Sequence, residues 1–115
     1  RWYALATMSV AGGIIEAQIS RRAELLRSEH ERSNDFIGKM RERQLRCFEA
    51  LEKQVAAFGA EFDLAQITTA VACGYEDWRY GTDWRAGAPK LATWFDAASQ
   101  RPSMRTTLPA ETPQS

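Results

Sequence analysis

An all-α fold, a bundle of about four to five helices, is what this sequence predicts, and three observations predict it. Asp63 followed three residues later by Gln66 is a capping box: the carboxylate can accept from the free N–H of Gln66, and the Gln66 amide can reach back to the N–H of Asp63. Phe62 just before the cap and Ile67 at the fourth helical position are spaced to close a hydrophobic staple over the same turn, so two signals agree on one helix start. Between Ser33 and Phe58 the residues Phe36, Ile37, Met40, Leu45, Phe48, Leu51, Val55 and Phe58 recur at three-and-four spacing with Arg, Lys and Glu between them, the pattern of an amphipathic helix. No segment sustains the two-residue alternation of a strand, and no internal repeat is present.

The first helix is predicted from Trp2 to about Glu29. It is apolar nearly all round until Ile19 and then charged through Arg21, Arg22, Ala23 and Glu24, and a helix apolar on more than one face must be covered on more than one face. The second runs from about Ser33 to Phe58 with an exposed outer face, and Gly59 supplies its stop. The third, Leu64 to about Arg79, is almost free of charge before Glu76 and is predicted to be the buried one. A turn over Tyr80, Gly81, Thr82 and Asp83 and a loop from Trp84 to Gly87 follow. Pro89 suits the first turn of the last long helix, where its missing N–H costs nothing, and that helix carries Leu91, Trp94, Phe95 and Ala98 on one side. Pro102 breaks it. The expected domain is 1–107, with a flexible tail over 108–115 where Thr, Pro and Glu dominate.

At 115 residues the chain suffices for one domain and one core. Hydrophobic residues at 44% and charged residues at 26% are ordinary for a soluble globular protein. Fifteen basic and fifteen acidic side chains cancel, so no global field draws the chain to nucleic acid or to an anionic membrane. The longest uncharged run, Trp2 to Ile15, is too short to span a bilayer, and Arg1 alone before it makes a poor signal peptide, so a cytoplasmic location is expected. Cys47 and Cys73 lie within helical patterns among apolar neighbours and read as small buried hydrophobes in a reducing compartment or as a disulfide or redox pair. His30, the single histidine, lies in a polar junction, so no zinc site is expected.

Motifs for catalysis are missing: there is no Gly-rich phosphate loop, no Ser-His-Asp set and no paired carboxylates in an apolar setting. Asp77-Trp78-Arg79 and Asp83-Trp84-Arg85 suggest Arg stacked on Trp and paired with an acid to pin a loop. Arg21, Arg22, Arg27, Arg32, Lys39, Arg41, Arg43 and Arg46 are interleaved with Glu24, Glu29, Glu31, Asp35 and Glu42, the pattern of a solvated, salt-bridged face rather than of a nucleic-acid reader. The polar interruption of the first helix, Ser9, Gly12, Gly13 and Glu16, forms one stripe. Such a stripe faces water, a partner or a cleft, or else its glycines serve tight packing against the third helix.

Taken together, the opening Trp2-Tyr3-Ala4-Leu5, the run Ala11 to Ala17, the capped stretch Phe62 to Ile67, Tyr75, Trp78-Arg79, Trp84-Arg85, Pro89, Trp94 and Arg101-Pro102-Ser103 resemble the C-terminal helical domain of bacterial cytosolic glutathione S-transferases. The resemblance extends over Trp2 to Thr107. Two positions depart from it: Gln66 stands where that family most often has Asp, and Glu76 where an apolar residue is usual.

The resemblance implies a parent enzyme that adds the glutathione thiolate to an electrophilic carbon, with glutathione as co-substrate and none held tightly by this domain. The thiol-activating residues would belong to an N-terminal thioredoxin-like domain absent from this chain, so no catalytic residue is expected here and the chain alone is expected to be inactive. The first helix would form one wall of the cleft between the two domains, which makes Leu5, Met8, Ser9, Gly12 and Glu16 the candidate substrate-binding residues. Implied partners are the thioredoxin-like domain, a small hydrophobic electrophile and a second copy in a homodimer, in a detoxification role. A chain that begins at Arg1 inside a helical pattern is expected to be a fragment or an expressed domain. Two other roles remain: a non-catalytic transferase-like scaffold for protein contacts, and a free-standing helical bundle.

Overall fold

A computed structural model describes residues 2–105, which fold as helices joined by turns, with no strand among them. In chain order these are α1 (Trp2–Leu25), α2 (Asn34–Gln54), α3 (Leu64–Arg79), α4 (Trp84–Gly87), α5 (Pro89–Ala98) and α6 (Pro102–Arg105). The expected tail over 108–115 and the domain limit at Thr107 lie outside the described residues.

The long helix α1 packs against α2 on one side and α3 on another, and α5 closes the bundle against α2, α3 and α4. Thr7, Ala11, Ile14, Ala17 and Gln18 form the buried stripe of α1. On α3 the buried residues are mostly small, Ala65, Thr69, Ala70, Ala72, Cys73 and Gly74, which lets neighbouring helices approach closely. The core continues through Phe48, Leu51, Trp84, Leu91, Phe95 and Met104.

The boundaries differ from the sequence expectation in four places. α1 ends at Leu25 rather than near Glu29, and the chain turns through Ser28–Arg32 before Ser33 caps α2 by accepting the N–H of Phe36 at 3.1 Å. At its far end α2 tightens into a 3-10 turn, Val55–Ala57, and Phe58 leaves it in an extended conformation, so Gly59 is not a left-handed stop. Among the described residues only Gly81, at φ +108°, uses that freedom, in the turn after α3. Residues 84–87 form a helical turn rather than a loop because Trp84 is drawn into the core, stacked on Phe48 with centroids 4.8 Å apart. Pro102 begins α6 rather than merely ending α5.

The α3 cap shows a further difference. Asp63 Oδ1 accepts the Gln66 N–H at 3.0 Å, whereas the Gln66 side chain donates its amide nitrogen to the carbonyls of Gly59 and Glu61, both at 2.9 Å. An amide brings donors that a carboxylate lacks, and here they satisfy the preceding loop while the Asp63 N–H turns to the Glu61 carbonyl. Phe62 and Ile67 both pack against the core. The start of α5 has no side-chain cap of its own; Glu52 reaches across from α2 to accept the N–H groups of Lys90 and Leu91 at 3.2 and 2.8 Å.

Candidate functional site

The face of α1 that turns toward α3 opens into a hollow of about 220 Å³ lined by Ile15, Gln18, Ile19, Val71 and Tyr75. Ile15 and Ile19 are one helical turn apart on α1, as are Val71 and Tyr75 on α3, so two i,i+4 pairs on facing helices make the walls. Its chemistry is apolar with one amide and one phenol. Ile19 remains 64% exposed, an apolar side chain left to solvent or to a partner.

Beneath this hollow is a buried polar junction. Gln18 is fully enclosed and donates its amide nitrogen to the Ala72 carbonyl at 2.9 Å and to Glu76 Oε1 at 3.1 Å. Gln44 of α2 donates to the same Glu76 oxygen and accepts from Arg21 Nη1 at 3.2 Å. Tyr80 donates its hydroxyl to the Gln18 carbonyl at 2.8 Å, and the Arg21 guanidinium lies 4.1 Å from the Tyr80 ring centroid. Burial pushes the Glu76 carboxyl above its ordinary value, although the Gln18 bond, the Arg21 charge and the Gln44 bond each pull it back. Burial, reinforced by Tyr75, pushes the Tyr80 phenol up to about 12, so it stays a hydrogen-bond donor.

Of the five candidate wall residues, none lines this hollow. Met8 is half-buried and lies seven residues before Ile15, on the same face of α1. Leu5 is 69% exposed, Ser9 and Glu16 are exposed, and the half-buried Gly12 has open space where a Cβ would stand. These four make a neighbouring strip turned to solvent. Glu16 leans to the other side, where it pairs with Arg43 of α2 at 3.4 Å. Gly13, beside Gly12 in sequence, faces α2 instead, where an added Cβ would meet Arg43 and Cys47 at 3.8 and 3.9 Å. The glycine contact is therefore with the second helix rather than the third. The lining residues Ile15, Ile19, Val71 and Tyr75 were not among the candidate wall residues because the stripe follows the polar interruptions of α1; their signal was the apolar i,i+4 spacing on each helix.

The remaining chemistry-bearing residues have structural places. Cys47 and Cys73 are both free, and burial raises both thiols, Cys73 well above its ordinary value. Asp77 accepts the Trp84 indole N–H at 2.8 Å and pairs with Arg85, which also pairs with Asp96 at 3.1 Å; Arg79 stacks on Trp78 at 3.9 Å. Arg27, Lys39 and Arg41 pair with Glu24, Asp35 and Asp83. His30 is exposed. Among the described residues no group of three or more His, Cys, Asp or Glu is placed to hold a metal ion, and no helix is long and apolar enough to cross a membrane. The hollow presents mainly apolar surface; none of its lining groups is a nucleophile poised for attack or a carboxylate placed for proton transfer.

Residues 15–97 match the family of the glutathione S-transferase C-terminal domain. The structure superposes on a glutathione transferase family member from Pseudomonas fluorescens Pf-5, solved with bound glutathione, at a TM-score of 0.89 and 36% identity over 96% of this chain and 55% of that one. The same relative with bound S-(propanoic acid)-glutathione gives a TM-score of 0.88 over 58% of its length. A glutathione S-transferase from Methylobacterium radiotolerans JCM 2831, in complex with glutathione sulfonate, gives 0.84 at 26% identity over 99% of this chain and 57% of that one. A stretch of 39 residues is 44% identical to part of the prepilin leader peptidase/N-methyltransferase of Pseudomonas aeruginosa PAO1, which is 34% of this chain and 13% of that protein. The chain thus spans just over half the length of its solved relatives.

Proposed function

The chain belongs to the glutathione S-transferase family, of which it carries the C-terminal domain, and on that premise we propose that it is the acceptor-side half of an enzyme that joins glutathione to small hydrophobic electrophiles. The observation that carries this is the whole-chain likeness, at 36% identity, to a relative solved with glutathione bound. The division of labour follows from chemistry. Conjugation needs a thiol whose pKa is lowered and an electrophile held within reach of it. This half offers apolar surface for the second task, in the hollow of Ile15, Ile19, Val71 and Tyr75, and both of its own cysteines have their thiols raised. Thiol activation is assigned to a thioredoxin-like N-terminal domain, and the parent enzyme to a cytoplasmic homodimer with a detoxifying role. Leu5, Ser9, Gly12 and Glu16, one strip beyond the hollow, together with Met8 on the hollow's own face of α1, are proposed as the outer wall of the acceptor cleft.

Two measurements test this. Incubated with glutathione and 1-chloro-2,4-dinitrobenzene, the isolated chain is expected to give only the uncatalysed rate; conjugation above that rate would contradict the division of labour. In an enzyme carrying both halves, Ser9→Trp is expected to raise KM for the electrophile several-fold while leaving KM for glutathione unchanged. Equal changes in both would remove this strip from the acceptor side.

A further inference from the structure

A second hollow, of about 260 Å³, lies where the loop before α3, the start of α3 and α5 meet, and it shares no lining residue with the hollow on α1. Two of its lining side chains, Phe62 and Trp94, are aromatic. Phe62 and Trp94 face each other with centroids 6.4 Å apart, and Phe58 meets Trp94 edge-on at 5.1 Å. Gln66 closes one side, and its amide hydrogens are already committed to the Gly59 and Glu61 carbonyls. Arg101 stands over this hollow with its guanidinium carbon 4.4 Å from the Phe62 centroid.

Arg101 differs from the other stacked arginines. Arg85 stacks on Trp84 and pairs with Asp77 and Asp96; Arg21 stacks on Tyr80 and donates to Gln44. The Arg101 side chain has no carboxylate or hydrogen-bond acceptor among the described residues. A cation over a ring uses the face of the guanidinium, whereas a carboxylate is bound by its N–H edge, so one arginine can do both at once. An aromatic hollow with an uncommitted guanidinium beside it is complementary to a flat acid. Its volume falls just below the roughly 300–1,000 Å³ of drug-sized sites, which restricts the ligand to one or two rings.

We propose that this hollow binds a small aromatic carboxylate, its ring against Phe62 and Trp94 and its carboxylate on the Arg101 guanidinium. The proposal does not depend on conjugation chemistry, because the site lies apart from the α1 wall.

The test is titration of the isotope-labelled chain with 2-naphthoate, followed by amide and indole NMR signals. Shifts are expected to concentrate on Gly59, Trp94 and Ala97. Arg101→Gln is expected to weaken binding about ten- to a hundredfold, the range for loss of a charge-assisted contact, and 2-naphthamide to bind as weakly to the unaltered chain. Ala97→Phe, at an exposed rim position that leaves Arg101 untouched, is expected to block the hollow while circular dichroism stays native. Four outcomes overturn the proposal: no shifts at millimolar naphthoate, shifts centred on Ile15 and Tyr75, unchanged affinity in Arg101→Gln, or equal binding of acid and amide.

Discussion

Glu76 and Asp77 are neighbours on α3, yet they face different sides of the molecule and fasten them by different chemistry. Glu76 turns toward α1 and α2 and is met by two neutral amides, Gln18 and Gln44, with Arg21 attached through Gln44. Asp77 turns toward α4, where a cation, Arg85, and the Trp84 indole N–H meet it beside an aromatic core of Phe48, Trp84 and Phe95. One side is a polar junction that specifies how three helices sit together. The other is an apolar cluster locked at its edge by an ion pair. Buried polar groups add little net stability when satisfied and cost much when one partner is lost, whereas apolar burial stabilises in proportion to area. The aromatic side should therefore set how stable the fold is, and the polar side how that stability depends on pH.

The heaviest blow to the aromatic side is Trp84→Ala. Trp84 is 2% exposed, stacks on Phe48 and meets Phe95 edge-on. Truncating a buried tryptophan costs about 3–5 kcal/mol, and here it also removes one of the two donors to Asp77 Oδ1, leaving that of Arg85 Nε at 3.3 Å. Urea unfolding should register the full amount at any pH between 5 and 8 as an order-of-magnitude range. A loss below about 1 kcal/mol would mean that the aromatic cluster does not dominate stability.

The polar side answers to a smaller change with a pH signature. Burial holds the Glu76 carboxyl above its ordinary 4.5, so the folded chain takes up that proton more readily than the unfolded one. This contribution is fully present below pH 4.5 and is lost as pH rises through the folded value. Facing Glu76 are Gln18 and Arg21 from α1, Gln44 from α2 and Asp77 from its own helix. Gln44→Leu removes a donor that favours the carboxylate, raises the folded value further and costs about 1–3 kcal/mol at neutral pH, with less lost at pH 4 as an order-of-magnitude setting where the carboxyl is protonated. Placed in a Glu76→Gln background, the same substitution should lose this pH dependence. An equal cost at both pH values would show that the junction is not proton-linked.

These two sides were not equally legible in the sequence. Local devices were readable because their partners are a few residues apart: Asp63 and Gln66 across one turn, Pro89 at the first position of α5, and the burial of α3 from its lack of charge. Glu76 stood out as a departure from an apolar position, but its partners lie 58 and 32 residues away on other helices, and no spacing rule connects them. Glu52 capping α5 from α2 was hidden for the same reason. On α1, periodicity located a stripe but not its azimuth: Gly12 stands open while Gly13 packs on α2, and the walls of the hollow are the apolar pair Ile15 and Ile19.

The smallest effect belongs to the other end of α3, and it tests whether the two sides act as one unit. Asp63 accepts the Gln66 N–H and places a carboxylate at the positive end of the helix dipole. Asp63→Ala should cost about 1 kcal/mol, and Asp63→Ser, which keeps a capping oxygen, a few tenths. Such a cost lowers Tm by roughly 4–8 °C in a domain near this size. Hydrogen exchange then separates two ways of losing it. If α3 frays from its start, the amides of Gln66 and Ile67 lose protection while those of Ala72 to Tyr80, held from both sides by the Glu76 junction and the Asp77 pair, keep theirs. If protection falls equally along the helix, α3 opens as a single cooperative unit, and the polar and aromatic fasteners are coupled through it despite their different chemistry.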